Sequence, residues 1–305
     1  MKKTCFCLLF FGCVFLANSQ TSRLEIQSQL DTIVNRYGFR SYQDIATLNQ
    51  VGVYIENEFK KHSNKVYRQT YSVHGNEYFN VVGLIGDTTK PRIVVGAHYD
   101  VCEELPGADD NGTGVVGLIQ AIQQLKNDTL GDYCFEFVAY TLEEPPFFAT
   151  EKMGSFVHAK SLNDRNVEVY GMVSLEMIGY FSDEKKSQEY PLGILSLFYG
   201  NVGDYITVVR KMNKGPFTRK FSGKYKRDKI IRTKKFTGPQ QLTGIDFSDH
   251  RNYWNFGMDA IMLTDTAFYR NKNYHQSTDT VDTIDFERMG AVIDALVVTL
   301  REMNT

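Results

Sequence analysis

The sequence predicts an α/β fold in which a mostly parallel sheet is covered by helices on both faces. Short apolar runs of strand length alternate with helix-length amphipathic segments along most of the chain. The runs, such as IVVGAH at 93–98, are apolar throughout, as in strands buried on both faces. With 305 residues, 42% of them hydrophobic and 23% charged, the chain can build a large core and is not disordered.

The elements follow in order. Apolar residues at helical spacing predict two leading helices, and two strands separated by the turn-like HGNE come next. Strands and helices then alternate up to a last strand and a last helix. The predicted helices are 22–36, 43–62, 114–125, 154–162 and 285–302, and the predicted strands are 65–73, 79–85, 93–98, 134–141, 169–177 and 260–265. No linker or repeat divides them, so we expect one domain over 20–305.

Residues 1–19 have the pattern of a signal peptide. Two lysines precede an apolar stretch over 5–16, and Ala-Asn-Ser at 17–19 supplies a small-residue cleavage site. The apolar stretch is shorter than the about 20 residues that span a bilayer. We therefore expect an exported protein, periplasmic or secreted, with no membrane span after the signal is removed.

Two cysteines, Cys102 and Cys134, lie outside the signal peptide. In an exported protein, which reaches an oxidising environment, a disulfide between them is one expectation. Cys102 follows one predicted strand, however, whereas Cys134 opens the next, and in neighbouring parallel strands these are opposite ends. Because a disulfide needs Cα atoms within about 7 Å, we expect two free, packed thiols.

Charge is unevenly distributed. The 34 Lys and Arg nearly balance the 36 Asp and Glu, which gives no case for a nucleic-acid partner. Twelve of the basic residues fall within 210–235, where Asp228 is the single acid. Few hydrophobic residues in this segment recur at helix or strand spacing. We therefore predict that it is a basic excursion at the surface, in the form of a solvated loop. A contact with an acidic substrate, a lipid or another polyanion is the second interpretation.

Carboxylates and imidazoles concentrate at the carboxyl ends of the predicted strands, where open α/β sheets place their sites. They lie in AHYD (97–100), ADDNGTG (108–114), EE (143–144), LEM (175–177) and YHQSTD (274–279). Such a set suits two divalent ions with nitrogen and oxygen ligands, and a carboxylate that binds no metal can act as a general base. Each segment alone also fits a structural role, such as a helix cap. Their joint occurrence favours a metal site.

The order HYDV, PGADDNGTG, EE, MGS, LEMIG, SDH and YHQSTDT resembles the co-catalytic di-zinc aminopeptidases of metallopeptidase family 28, in an exported bacterial subgroup. The resemblance covers about residues 75–300. It implies a phosphorylase/hydrolase-like, three-layer α/β/α fold with a mostly parallel mixed sheet of about eight strands.

The resemblance also implies two zinc ions, their ligands and a general base. The ligands are His98 and Glu176 for one ion and Glu144 and His275 for the other, with Asp109 bridging the two, and the general base is Glu143. The family commonly has Asp at the position of Glu176, and Glu reaches one methylene further.

Further residues are expected around the ligands. Asp100 and Asp279 lie two and four residues after the ligand histidines, so either can orient an imidazole. The family also has the SDH motif near the site, which places Asp249 and His250 on the substrate side or behind the ligands. The aromatic pair at 253–254 is a candidate for a specificity pocket or for core packing.

The function implied is removal of N-terminal residues from peptides that have a free amino terminus. A hydroxide bridging the zinc ions would attack the first peptide carbonyl, and Glu143 would take the proton and return it to the leaving amine. A basic segment near the cleft would favour acidic substrate side chains.

Three alternatives remain open. Glutaminyl-peptide cyclotransferases resemble this family in fold but use one zinc ion, which the retention of both His98 and Glu176 disfavours. A carboxypeptidase or deacylase on a related scaffold is the second alternative. A surface-binding protein that uses 210–235 is the non-enzymatic one.

Overall fold

The computed structural model describes residues 21–63, 65–213 and 215–304, so the predicted signal peptide lies outside the described residues. In this part of the chain, none of the helices has the length and apolar character needed to cross a membrane.

The described residues form one mixed sheet of eight strands. The strands are β1 (Lys65–Val73), β2 (Asn76–Ile85), β3 (Arg92–His98), β4 (Cys134–Tyr140), β5 (Val169–Glu176), β6 (Ile206–Lys211), β7 (Thr233–Gly238) and β8 (Ala260–Thr264). Their order is β1-β2-β4-β3-β5-β8-β6-β7. The central run from β4 to β8 is parallel, as is β6 with β7, while β1–β2, β2–β4 and β6–β8 are antiparallel. The predicted fold class is confirmed.

Helices cover both faces of the sheet. They are α1 (Arg23–Asp31), α2 (Ile45–Lys60), α3 (Gly114–Leu125), α4 (Gly154–Asp164), α5 (Ser196–Tyr199), α6 (Pro216–Arg227), α7 (His250–Asn255) and α8 (Phe286–Met303). Alternate residues of β3 face opposite layers: Ile93 and Val95 pack in the cluster that includes α1, α2, α3, α6 and α8, and Val94 packs in the cluster of α4 and α7. This produces three layers with two apolar interfaces.

The basic segment 210–235 is not the solvated loop that we expected. It contains the end of β6, helix α6 and the start of β7, which form a parallel strand–helix–strand unit. Phe217, Phe221 and Tyr225 recur every four residues on the buried face of α6, with ring centroids 5.5 and 5.7 Å apart. Strand β7 was missed because two lysines interrupt its pattern, and β6 was missed because its apolar run at 206–209 is short and leads directly into the basic segment.

The two cysteines are free thiols, as predicted. Strands β3 and β4 are parallel, with Arg92 opposite Cys134 and His98 opposite Tyr140. Cys102 follows the carboxyl end of β3, whereas Cys134 begins β4, so the thiols lie at opposite ends of the two strands.

Candidate metal centre and active site

The carboxyl ends of three parallel strands bring predicted site residues together. His98 ends β3, Glu176 ends β5, and Glu143 follows β4. His98 Nε2 lies 3.4 Å from Glu176 Oε2 and 3.9 Å from Glu143 Oε2. All three side chains are buried. Sheet topology thus positions residues that are distant in sequence.

Asp110 is the residue that contacts both imidazoles. Its Oδ1 lies 3.4 Å from His98 Nε2, and its Oδ2 lies 3.2 Å from His275 Nε2. Glu144 Oε2 is also 3.2 Å from His275 Nε2. The arrangement has two halves that share Asp110: His98 with Glu176, and His275 with Glu144.

The expectation that Asp109 bridges the two halves is therefore corrected. Asp109 Oδ1 accepts a hydrogen bond from the Gly179 amide at 3.0 Å, and its Oδ2 accepts one from Asn271 Nδ2 at 2.8 Å. The first acid of the pair is held by hydrogen bonds within the protein, and the second faces the histidines. A motif shows that one of two adjacent acids is needed, but the turn decides which one points inward.

Asp100 and Asp279 hold the backbone on either side of the centre. Asp100 accepts hydrogen bonds from the amides of Glu143 and Glu144, both at 3.1 Å. Asp279 accepts from the amides of Asp109 and Asp110 at 3.0 and 3.1 Å. For Asp279 the predicted role of orienting an imidazole is thus replaced by one of positioning an acid pair, whereas Asp100 does both. Next to His98 Nδ1, Asp100 places its backbone oxygen at 3.2 Å and Oδ1 at 3.7 Å.

The SDH motif packs behind the centre. His250 is fully buried, its Nε2 donates to the Ile245 carbonyl oxygen at 2.8 Å, and its ring meets Trp254 edge-on at 4.5 Å. Burial lowers the pKa of His250 to about 4. Asp249 is also fully buried, and burial raises its pKa to about 7. His250 is therefore a packed core histidine and does not face the substrate side.

The aromatic pair at 253–254 belongs to the core. Tyr253 is buried between α7 and the sheet, where its hydroxyl lies 2.7 Å from His158 Nδ1 and 2.7 Å from the Tyr140 hydroxyl. Trp254 donates to the Ala260 carbonyl oxygen at 3.0 Å. The core-packing interpretation of this pair is confirmed.

The charges at the centre call for cations. Four carboxylates and two imidazoles lie together in a buried site. The carboxylates are Asp110, Glu143, Glu144 and Glu176, and the imidazoles are His98 and His275. Burying so much negative charge is costly unless cations compensate it. Glu176 Oε2 makes no hydrogen bond to any described residue. The nitrogen and oxygen donors of the centre, in two groups, fit a pair of divalent ions.

The pKa shifts have the same cause. Burial raises the pKa of Glu144 to about 7, and the charge of Asp110 adds to the shift. Burial also raises the pKa of Glu143 well above its usual range. For His275 burial opposes protonation, but its contacts with Asp110 and Glu144 outweigh burial and raise the pKa to about 10. In the absence of metal, protons thus take the place of cations, and metal binding would release them.

Two residues near the centre gave no signal in the sequence. Arg40 is fully buried and donates to the carbonyl oxygens of Pro106 and Gly107 at 2.8 and 2.6 Å. It therefore fixes the start of the loop that carries Asp110. Cys102 lies beside the second half of the centre, where its sulfur and ligand atoms of Glu144 and His275 are all within 4.8 Å of one another.

Two adjacent cavities lie against the centre. The first encloses about 700 Å³ of space open to solvent and is lined by Asp110, Glu143, Glu176 and His275 among others. The second encloses about 680 Å³ and shares Glu176, Phe247 and Phe268 with the first. The two cavities are thus adjacent at these residues.

Sequence comparison identifies relatives over most of the chain. The family model described as Peptidase family M28 matches residues 80–300. The chain is 38% identical over 269 residues to YfbL of Escherichia coli. This match covers 86% of this chain and 82% of YfbL. It is 25% identical to leucine aminopeptidase 1 of Paracoccidioides brasiliensis over 71% of this chain and 53% of that protein. The chain thus spans about half the length of that aminopeptidase.

Solved structures show the same fold. The LapA aminopeptidase of Legionella pneumophila superposes with a TM-score of 0.72 at 18% identity, covering 93% of this chain and 72% of LapA. Glutaminyl cyclase from Porphyromonas gingivalis superposes with a TM-score of 0.69 at 17% identity, covering 92% of this chain and 98% of the cyclase. The match of the family model over residues 80–300, together with the similarity to YfbL, shows that the chain belongs to peptidase family M28.

Proposed function

We propose that the chain is an exported zinc-dependent aminopeptidase, which hydrolyses N-terminal residues from peptides. One observation carries the proposal: in a member of peptidase family M28, Asp110 lies between a His98–Glu176 pair and a His275–Glu144 pair, with Glu143 beside them. The leucine aminopeptidase among its relatives supports the choice of substrate class.

Two zinc ions would be held by the two halves of the centre. His98 and Glu176 would bind one ion, His275 and Glu144 the other, and Asp110 would contact both. When bound, such ions lower the pKa of water and polarise a carbonyl oxygen. The backbone contacts of Asp100 and Asp279 would keep these carboxylates in place as the ions bind.

Glu143 is assigned the transfer of protons. Its amide is fixed by Asp100, its carboxylate is buried, and it lines the first cavity. Burial, together with the charges of Glu176 and Glu144, raises its pKa. A carboxylate with raised proton affinity is suited to take a proton from water and return it to the leaving amine.

Export is proposed from the sequence of residues 1–19. Expression of the full chain should yield a mature protein that begins at Gln20 and is found outside the cytoplasm. A cytoplasmic protein that keeps its first residues would contradict export and leave the enzymatic proposal in place.

The mechanism is tested by Glu143→Gln. The variant should keep its zinc content and fold, while the rate of N-terminal cleavage falls by about 10²–10⁴. Glu151→Gln, an exposed glutamate of the same loop region, is the matched control and should retain full activity. A zinc-loaded Glu143→Gln protein with the normal rate would refute the assigned role.

Glutaminyl-peptide cyclisation is the second candidate, because the chain covers 98% of the Porphyromonas gingivalis cyclase. The pairing of His98 with Glu176 preserves a place for a second ion, which favours hydrolysis. Peptides with N-terminal glutamine separate the two reactions by mass spectrometry: an aminopeptidase releases free glutamine, whereas a cyclase releases ammonia and keeps the chain length.

Contact with a polyanion through 210–235 is a further proposal. Helix α6 presents basic residues at its exposed positions 219, 220, 226 and 227. Such binding should weaken steeply with salt and survive removal of metal.

A further inference from the structure

A row of side chains leads from the metal centre across the sheet. Glu176 of β5 pairs with Thr264 of β8, Thr264 pairs with Thr207 of β6, and Thr207 pairs with Lys234 of β7. Residues directly opposite on neighbouring strands share one face of a sheet. With strands about 4.8 Å apart, the backbone of Lys234 lies about 14 Å from that of Glu176.

The row lies along the second cavity. All four residues line its wall, and aromatic rings, including those of Tyr190, Tyr199, Tyr205 and Phe236, complete it. The cavity adjoins the metal centre at Glu176, beside the contacting rings of Phe247 and Phe268, whose centroids are 6.3 Å apart. The cation of Lys234 stands at the far end of the row from the metal centre.

Lys234 has no carboxylate partner within ion-pairing distance in the described part of the chain. Its Nζ donates to the Tyr199 carbonyl oxygen and lies 3.5 Å from the ring centroid of Tyr205. Asp204, whose charge favours the protonated form of Lys234, forms its ion pair with Arg232. Burial lowers the pKa of Lys234 to about 8, and the charge of Arg232 adds to the shift. The ammonium is thus partly desolvated and forms no ion pair with a described carboxylate.

Other groups in the cavity leave this positive charge uncompensated. Glu189 forms an ion pair with Lys272 at 2.9 Å, and the hydroxyls of Tyr190 and Tyr205 hydrogen-bond to each other at 2.8 Å. Thr207 Oγ1 is buried and has no hydrogen-bond partner among the described residues. An acidic group entering from the metal centre would meet the unpartnered hydroxyl of Thr207 and an ammonium that no described carboxylate pairs with.

We propose that Lys234 is a specificity-determining residue, which selects peptides whose N-terminal side chain is long and ends in a carboxylate. The inference rests on the proposed aminopeptidase function. Side chains stand roughly perpendicular to a sheet, so a substrate side chain must itself extend along the row from the metal centre towards Lys234. Glutamate therefore fits better than the shorter aspartate, and the basic segment 210–235 acts through the one lysine that lines the pocket.

The test compares N-terminal Glu, Gln and Leu in otherwise identical substrates, with zinc-loaded protein. The wild type should cleave the Glu substrate with a kcat/KM at least about tenfold above that of the Gln substrate. A preference of this size is what one charge-assisted hydrogen bond provides. Lys234→Met should abolish this ratio and leave Leu cleavage within about threefold, and Lys234→Arg should restore much of it. Lys235→Met, whose side chain alternates to the other face of β7, is the matched control and should leave the ratio unchanged.

A binding measurement separates this inference from the proposed function. Calorimetry with Glu143→Gln protein and a Glu-Leu dipeptide should give a Kd that Lys234→Met weakens about tenfold. Zinc-dependent Leu cleavage without any preference for Glu over Gln would overturn the role of Lys234 and keep the aminopeptidase. Lys234-dependent dipeptide binding without cleavage of any substrate would keep the pocket and overturn the aminopeptidase.

Discussion

Asp110 Oδ2 lies 3.2 Å from His275 Nε2, while the other oxygen of the same carboxylate faces His98. Asp109, one residue earlier, points away into hydrogen bonds with Gly179 and Asn271. Two adjacent acids with the same charge thus have different partners. Substituting each of them in turn therefore tests which one belongs to the metal centre.

Asp110→Asn should reduce bound zinc and lower activity by at least about 100-fold, because both ions lose a shared oxygen ligand. Asp109→Asn should keep the zinc content and cost about 1–2 kcal/mol of unfolding free energy through altered hydrogen bonds. Metal analysis of both proteins after dialysis at fixed free zinc checks the pair. Loss of zinc from Asp109→Asn alone would return the bridging role to Asp109.

Asp279→Ala tests the backbone support of the centre. It leaves the buried amides of Asp109 and Asp110 without an acceptor, which should lower the unfolding free energy by about 1–3 kcal/mol. Because the carboxylate of Asp110 is then less well fixed, zinc affinity should fall about 10–100-fold. Zinc titration and denaturant unfolding measure the two effects. Asp282→Ala, at an exposed position nearby, should change neither, and equal zinc affinity in the two variants would disprove the support.

His250 predicts a specific loss of stability in mild acid. Burial lowers its pKa from 6.5 to about 4, and the charge of Arg251 adds to the shift. Between these values the unfolded chain binds a proton that the folded chain does not, so stability is full above pH 6.5 and falls as the pH drops towards 4. The shift corresponds to at most about 3 kcal/mol.

The matched variant is His250→Gln, which keeps a donor for the Ile245 carbonyl oxygen but does not titrate. It should be less stable than the wild type at pH 7, and its unfolding free energy should depend less on pH between 6.5 and 4. Denaturant unfolding across this range measures both slopes. Parallel pH profiles for the two proteins would show that His250 does not contribute to the acid sensitivity.

Much of the centre was predictable because parallel strands end at one edge of the sheet. His98, Glu143, Glu144 and Glu176 follow apolar strands directly, so their proximity follows from topology. The choice between Asp109 and Asp110 was not predictable from spacing, because a turn of the loop sets which side chain points inward. Arg40 was missed because no local pattern marks an arginine that bonds carbonyl oxygens of a distant loop.

The second cavity was not predicted from the sequence, for a different reason. Strand β7 was interpreted as part of the basic segment 210–235 because two lysines break its apolar run, and the short apolar run of β6 leads directly into the same segment. The row from Glu176 to Lys234 is formed by the pairing of these strands, which also position aromatic residues of the second cavity. Long-range register between strands is the information that the sequence pattern lacked.

Zinc dependence is measured most directly by titrating metal-free protein with zinc and following release of the N-terminal residue from a peptide. The prediction is no cleavage without metal, and activity that rises with zinc and saturates near two ions per chain, as the two ligand pairs around Asp110 require. Full cleavage by the metal-free chain, or saturation by zinc without any release, would contradict it.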